Sequence, residues 1–408
     1  MSSGNLISHS YLAEQTFGVL NPTGNFQQIS KASAAFTGTP DTTQSSTIRA
    51  DRLPSGNIIT GLTVEGSAST ELSRTVIHDD FIEGTMMSTW AVEETALATD
   101  VAYDASGNTF TSVAGDFTSQ FNVGDVVTLT GLLAPADVNN STAVFTVTNV
   151  TALVMNVVTS ANVESWDATA GATVAVQKGQ KLTIGKNVAS FTFEKQYLDL
   201  TDKAIAYLGE VFSSFATSFT YGSPVTQDYN LMGANKDVRT GDPITKPSGL
   251  REVYKAPTEK FFNVSTGMPY VMVDGVAVTY CIESLGLGID NGLTPRNCVG
   301  KVEKTAYDLG EAAVTVDINM HFGDGNWHFL DKIMTQETVE VEWPVVDEDG
   351  LGYHYQISAQ LTGDDPDSTG KDAQAMLTLS GTGAIGTDGA VLTIWKIGGD
   401  LPVGELVT

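Results

Sequence analysis

The sequence predicts a mainly β fold with one or two short helices and a small β module inserted into a larger core. Three observations carry this reading. Apolar and polar residues alternate repeatedly along the chain, which marks strands with one buried and one wet face. Forty of the 408 residues are glycine and only 17% are charged, so turns are frequent and long solvated helices are not. Hydrophobic residues make up 41%, enough to bury a sizeable core.

Taken in order, residues 1–45 read as an N-terminal arm, and the core takes in residues 46–100 and 181–408. Within 62–72 the even positions are mostly apolar and the odd ones polar, carrying Glu65 and Glu71. Asp79 reads as the N-cap of a helix in which Ile82, Met86 and Trp90 recur at i, i+4 and i+8. Residues 101–180 differ from the rest, being rich in Thr, Val, Ala and Asn. Short strand candidates at 126–130, 143–150, 153–159 and 172–177 suit a small β-barrel or sandwich. Further strands are expected at 189–197, 211–221, 276–289, 314–322, 339–343, 353–357, 375–380 and 390–397. The 314–322 run alternates again and carries Asp317 on its polar side. After Asn326, the residues Trp327, Leu330 and Met334 recur at i, i+3 and i+7, a second short helix. A strand followed by a short helix thus occurs once in each half, which hints at a duplicated unit, although the strand sequences do not match.

Charge narrows the function. Twenty-one basic against 48 acidic residues give −27, and such a field repels phosphates, so tight DNA binding of the usual basic kind is not expected. The segment 236–260 is the exception, with six basic and four acidic residues; its Gly241, Pro243, Pro247 and Pro257 make it read as a long extended loop. Cys281 and Cys298 read as reduced thiols in a β-rich core, not a disulfide framework. No run approaches the roughly 18 apolar residues of a spanning helix, and the first thirty residues lack a signal-peptide layout. A soluble chain without membrane anchor or targeting segment is expected.

Motifs for catalysis, cofactors or metals give no candidate. Gly381-Thr382-Gly383-Ala384-Ile385-Gly386 matches G-x-G-x-x-G, but a strand-like run follows where a dinucleotide site needs a helix N-terminus. Asp365–Gly370 begins like a calcium loop, yet its twelfth position is Met376 instead of a bidentate glutamate. Asp347-Glu348-Asp349-Gly350 reads as a hairpin turn. The histidines, His9, His78, His321, His328 and His354, fall in no zinc spacing. Enzyme activity is not expected.

Several short motifs share an order. Glu14-Gln15-Thr16-Phe17-Gly18 precedes Ile48-Arg49-Ala50-Asp51-Arg52, then the strand Val64-Glu65-Gly66-Ser67-Ala68-Ser69-Thr70-Glu71-Leu72-Ser73 and the Asp79-Asp80 helix. Tyr207-Leu208-Gly209-Glu210-Val211, Leu231-Met232-Gly233, the turn Ile289-Asp290-Asn291-Gly292-Leu293 and the closing Leu392-Thr393-Ile394-Trp395-Lys396 follow. Over residues 9–100 and 185–398 this order resembles the tail tube proteins of long non-contractile-tailed bacteriophages.

The resemblance implies a β-sandwich or partial barrel, flanked by a helix or two, that joins edge to edge into hexameric rings stacked as a hollow conduit for DNA. Partners would be further copies of the chain, a tape measure protein, and the tail tip or baseplate and terminator proteins. Double-stranded DNA would pass without tight binding; the protein would be made in the host bacterial cytoplasm and end in the virion tail. Under this reading Glu65, Glu71 and Asp317 are candidates to face the lumen. Lys236, Arg239, Lys246, Arg251, Lys255 and Lys260 are candidates for a ring-stacking loop, with the N-terminal arm assisting through Phe17, Leu20 and Phe26. Both segments are expected to be mobile and solvated before assembly. Two alternatives stand: the inner tube of a contractile tail or injection system, and a virion-associated carbohydrate-binding protein or hydrolase, for which Trp166 is the one aromatic of note in the insert.

Overall fold

The computed structural model describes residues 6–47, 56–92, 97–98, 101–112, 116–130, 143–159, 163–166, 174–246, 249–366, 374–399, 401 and 405–406. The first half begins with β1 (Ile7–Ala13), β2 (Phe26–Gln28), β3 (Ser33–Gln44), β4 (Asn57–Glu71) and helix α1 (Val76–Met86). Seven short strands follow: β5 (Leu97–Ala98), β6 (Val101–Asp104), β7 (Thr109–Ser112), β8 (Val126–Thr130), β9 (Phe145–Val150), β10 (Val154–Val158) and β11 (Ala175–Lys178). The chain returns through β12 (Gln180–Thr183), β13 (Phe191–Tyr197), β14 (Lys203–Thr220), β15 (Thr226–Gly233), β16 (Asn235–Thr240) and β17 (Val253–Tyr254). Helix α2 (Val264–Gly267), β18 (Met272–Val273), β19 (Val276–Ala277), β20 (Ile282–Asp290), the hairpin β21 (Thr294–Arg296) and β22 (Ala306–Asp308), and β23 (Ala313–His321) come next. Helix α3 (His328–Thr335), β24 (Thr338–Val346), β25 (Gly352–Gly363), β26 (Met376–Gly383) and β27 (Leu392–Ile397) complete the order. The fold is mainly β, and among the described residues no helix is long and apolar enough to cross a membrane.

The strand pairing has a repeat in it. In the first half β1 pairs with β13, β13 with β14, β14 with β15 and β16, β15 with β4, and β4 with β3, all antiparallel. In the second half β18 pairs with β24, β24 with β25, β25 with β26 and β27, β26 with β23, and β23 with β20, again all antiparallel. The second set repeats the first in chain order, in partner and in the place of its helix. The halves are sewn together where β20 pairs with the end of β14.

One consequence is an eight-stranded sheet ordered β3-β4-β15-β14-β20-β23-β26-β25. Its apolar side forms the floor of the main core, with Phe215, Tyr229, Leu287, Val316 and Leu379 buried there. Helix α1 lies on that floor. Phe81 packs its ring 5.0 Å from Tyr11, 5.0 Å from Phe212 and 5.2 Å from Tyr229, burial that stabilises by about 3 kcal/mol.

Several expectations change. The N-cap of α1 is Thr75, in extended geometry, and Asp79 lies a turn inside the helix, buried. Residues 7–38 are not a solvated arm: β1 pairs with β13, β2 with β1, and Tyr11, Phe26 and Phe36 enter the core. Phe17 packs against Tyr307 at 5.9 Å, and Leu20 packs beside Phe26. Of the second helix's stripe, Trp327 and Met334 face solvent and Phe329 is the buried residue. Both cysteines are exposed, not in the core. The expected strand over 276–289 is broken into β19 and β20.

Strands β5–β11 form a separate sheet around Phe110, Phe117, Phe145 and Met155. It docks on the core through Val126 and Val144 against Val346, Trp395 and Ile397. Gln356 Nε2 donates to the Gly124 carbonyl at 2.9 Å across that contact. Trp166 is spent internally, stacked on Tyr103 at 5.0 Å with Nε1 donating to the Val101 carbonyl.

Candidate functional site: the polar face of the eight-stranded sheet

Because side chains alternate along a strand, the apolar floor has a second, polar side. Cross-strand registers place its residues in rows. One row runs Glu71, Thr226, Ser218, Gly286, Asp317, Ser380 and Thr362. The next runs Ser69, Asp228, Ala216, Gly288, Thr315, Thr382 and Gln360, and a third Ser67, Asn230, Ser214, Asp290 and Ala313. Every one of these residues is exposed or half-exposed.

The structure therefore brings all three lumen candidates to one face. Glu71 and Asp317 share a row four strands apart, about 19 Å at the usual strand spacing. Glu65 lies on the same side of β4, six residues or roughly 20 Å from Glu71. The rows hold carboxylates, hydroxyls, amides, glycine and alanine, and no lysine or arginine. Short side chains brace one another: Ser380 Oγ donates to Asp317 Oδ1 at 2.6 Å, and Asn230 Nδ2 to Ser214 Oγ at 3.0 Å. Such a face offers anions little to hold.

Beneath it lies Glu210, fully buried on β14, with neither carboxylate oxygen meeting a donor among the described residues. Burial, then the nearby charges of Glu14 and Glu65, pushes its carboxyl up to about 8, so it is neutral at pH 7. Glu14 is held differently, accepting from Gly209 N at 2.9 Å, Thr192 Oγ1 at 2.7 Å and Ser190 Oγ at 2.7 Å.

The six stacking-loop candidates are not gathered on a free loop. Lys236, on β16, donates to the Gly38 carbonyl at 2.9 Å. Arg239 pairs with Asp237 at 2.9 Å, Lys246 with Glu252 at 2.6 Å, Lys255 with Glu405 at 3.2 Å and Lys260 with Glu348 at 3.0 Å. Arg251 donates to the carbonyls of Asn21, Pro22 and Gly24. The buried carboxylate of Glu194 accepts from the amides of Ile244 at 2.6 Å and Thr245 at 2.8 Å, pinning the segment down. That anchor was invisible in sequence, being some fifty residues away.

What projects instead is the far part of the β3–β4 hairpin. Residues 39–44 and 57–60 are exposed on both faces, Ile58 and Ile59 among them. Their adjacency between Gly56 and Gly61 in a threonine-rich stretch was the available signal, and sequence reasoning missed it.

Among the described residues no group of three or more His, Cys, Asp or Glu is placed to hold a metal. The G-x-G-x-x-G run ends β26 and turns, Gly386 N donating to the Ala390 carbonyl at 2.8 Å, and β27 follows instead of a helix. Asp347–Gly350 is the β24–β25 turn, with Asp347 Oδ1 accepting from Asp349 N and Leu351 N. The calcium-like run at 365–370 lies partly outside the described residues. Comparison with known proteins gives one family: a model described as "Phage tail tube protein" matches residues 4–189 and 166–383. No curated protein matches the chain.

Proposed function

The chain belongs to the phage tail tube protein family, and from that premise we propose how it serves as the structural, self-assembling subunit of a virion tail. Copies join edge to edge into rings with a hexameric arrangement of fold units, and stacked rings make the conduit through which double-stranded DNA leaves the virion. The base-free polar face of the eight-stranded sheet is the observation that carries this reading. Turned inward, it surrounds DNA with short hydroxyl side chains and with Glu65, Glu71, Asp228, Asp290 and Asp317. Carboxylates repel the phosphates, and the missing lysines and arginines leave no counterion-releasing contacts to slow the passing duplex.

Ring-to-ring contact is proposed for the outer β3–β4 hairpin, supported by the exposed lysines Lys255 and Lys260. An isolated two-stranded ribbon is marginal in water, so a hairpin exposed on both faces fits a role completed by a neighbour. Tape measure, terminator and tail-tip proteins are the further partners in this reading, with synthesis in the host bacterial cytoplasm.

Electron microscopy of the purified full chain over a concentration series, with and without a tail-tip complex, tests the reading. Hollow tubes of uniform bore are the expected result; a strictly monomeric population in every sample would overturn it. With Glu65 and Glu71 replaced by Lys, tubes should still form while DNA delivery slows, and normal delivery would remove the lumen assignment.

A further inference from the structure

The two halves of the chain meet at a joint with two parts. In one, β20 of the second half pairs with β14 of the first, from Ser214↔Asp290 to Thr220↔Ser284. In the other, strands of the second half cover α1. Tyr353 Oη donates to Asp79 Oδ1 at 2.7 Å, and Lys396 Nζ lies 3.3 Å from Asp79 Oδ2. Asn291 closes the corner, its Nδ2 donating to the Thr85 carbonyl at 2.9 Å.

The second half presents the same parts with far less against them: Leu330 and Ile333 pack partly on the core, and the Trp327 ring lies 5.6 Å from Phe322 of its own half. Setting Phe329 at the position of Phe81, both fully buried, puts Trp327 where Asp79 stands and Met334 where Met86 stands. Yet Trp327 is 63% and Met334 82% exposed, against 7% and 1% for their counterparts. On the receiving side, the core pair Trp343↔Tyr355 corresponds to Phe193↔Tyr207. Tyr353 and its partner Lys396 then fall on Ile205 and its partner Val238. Ile205 is half-buried and Val238 is 66% exposed. Where the joint inside the chain holds an ion pair and a tyrosine, the chain's two free ends hold apolar side chains open to water.

The sheet edges agree. Among the described residues β3 pairs with β4 alone. Its outward carbonyls at Phe36 and Gly38 are met by side chains, Tyr207 Oη and Lys236 Nζ, both at 2.9 Å. A lysine guarding an edge strand, and Pro40 at the next outward position, are the usual protections of an edge kept from premature pairing. At the other end of the sheet, among the described residues, Leu361–Gly363 of β25 pair with β26 only.

We propose that the joint inside the chain is repeated between copies: Trp327 and Met334 of one chain seat on Ile205 and Val238 of a second copy, and the end of β25 runs beside that copy's β3 edge. This rests on the tube reading and sharpens it. Each chain fills two positions, so a ring of six fold units contains three chains. It also carries three seven-stranded inserts, because only the first half is interrupted by one.

Native mass spectrometry and class averages of the assembled full chain test this. Rings of three 43.2 kDa chains with three peripheral inserts are expected. Six chains per ring would overturn the inference and leave the tube intact; no ring or tube, with or without a tail-tip complex, would overturn both. Trp327→Asp and Val238→Lys, made singly, should each reduce assembly at least tenfold with monomer unfolding unchanged. Combined, they should restore it by recreating the Asp79–Lys396 pair across copies. Assembly of either single variant at the native level, or no restoration by the pair, would refute the contact.

Discussion

Helices α1 and α3 hold the same place in the two halves of this chain, and their surroundings could hardly differ more. Helix α1 is covered on one side by its own half, where Tyr11 Oη donates to Asp80 Oδ2 at 2.6 Å, and on the other by Tyr353 and Lys396 of the second half. Helix α3 buries Phe329 and packs Leu330 and Ile333 partly on the core, while Trp327 and Met334 stay in water. Apolar side chains left open beside a covered face suit a contact with a neighbour. The difference teaches that α1 is buried by the unit that follows it; in the proposed assembly, α3 is covered in the same way by a second copy.

The largest expected effect breaks the covered side. Asp79→Ala leaves the Lys396 ammonium in the interior without its carboxylate, and denaturant unfolding should show a loss of about 3–5 kcal/mol. A loss under 1 kcal/mol would mean that the α1 joint is not a stability element. Next comes Glu210, whose carboxyl is raised from 4.5 to about 8 in the fold. The folded state keeps a proton that the unfolded chain releases, so its contribution is full below about pH 4.5 and is lost as pH rises through 8. Glu210→Gln should remove that slope and stabilise the chain at pH 8 by on the order of 3 kcal/mol. Parallel stability–pH curves for the two proteins would contradict this. The smallest effect sharpens the contrast: Trp327→Ala and Met334→Ala should change monomer stability by no more than about 0.5 kcal/mol, measured by thermal unfolding, while abolishing ring formation. Ile58→Ser with Ile59→Ser should likewise spare the monomer and rings but shorten tubes in micrographs.

The two faces of individual strands were readable because a strand's period is two, whereas their order in the eight-stranded sheet was not. Alternation in 62–72 and 314–322 alone put Glu65, Glu71 and Asp317 on the polar side, where the structure has them. The N-terminal strands were not readable, since Tyr11 finds Phe193 across about 180 residues and nothing local records that pairing. Asp79 and Thr75 are both acceptable N-caps; burial against Tyr353, 274 residues on, decided between them. Periodicity found the apolar face of α3 but said nothing about whose surface covers it. By eye the duplication left its trace only as a strand–helix recurrence, although one family model matches both halves, at residues 4–189 and 166–383.

The most direct test is a cryo-electron microscopy map of the assembled tube. The account expects the Glu71–Asp317 row to line the bore and every α3 to be covered by Ile205 and Val238 of a neighbouring copy. A map with that row on the outer wall, or with Trp327 still in solvent, would contradict it.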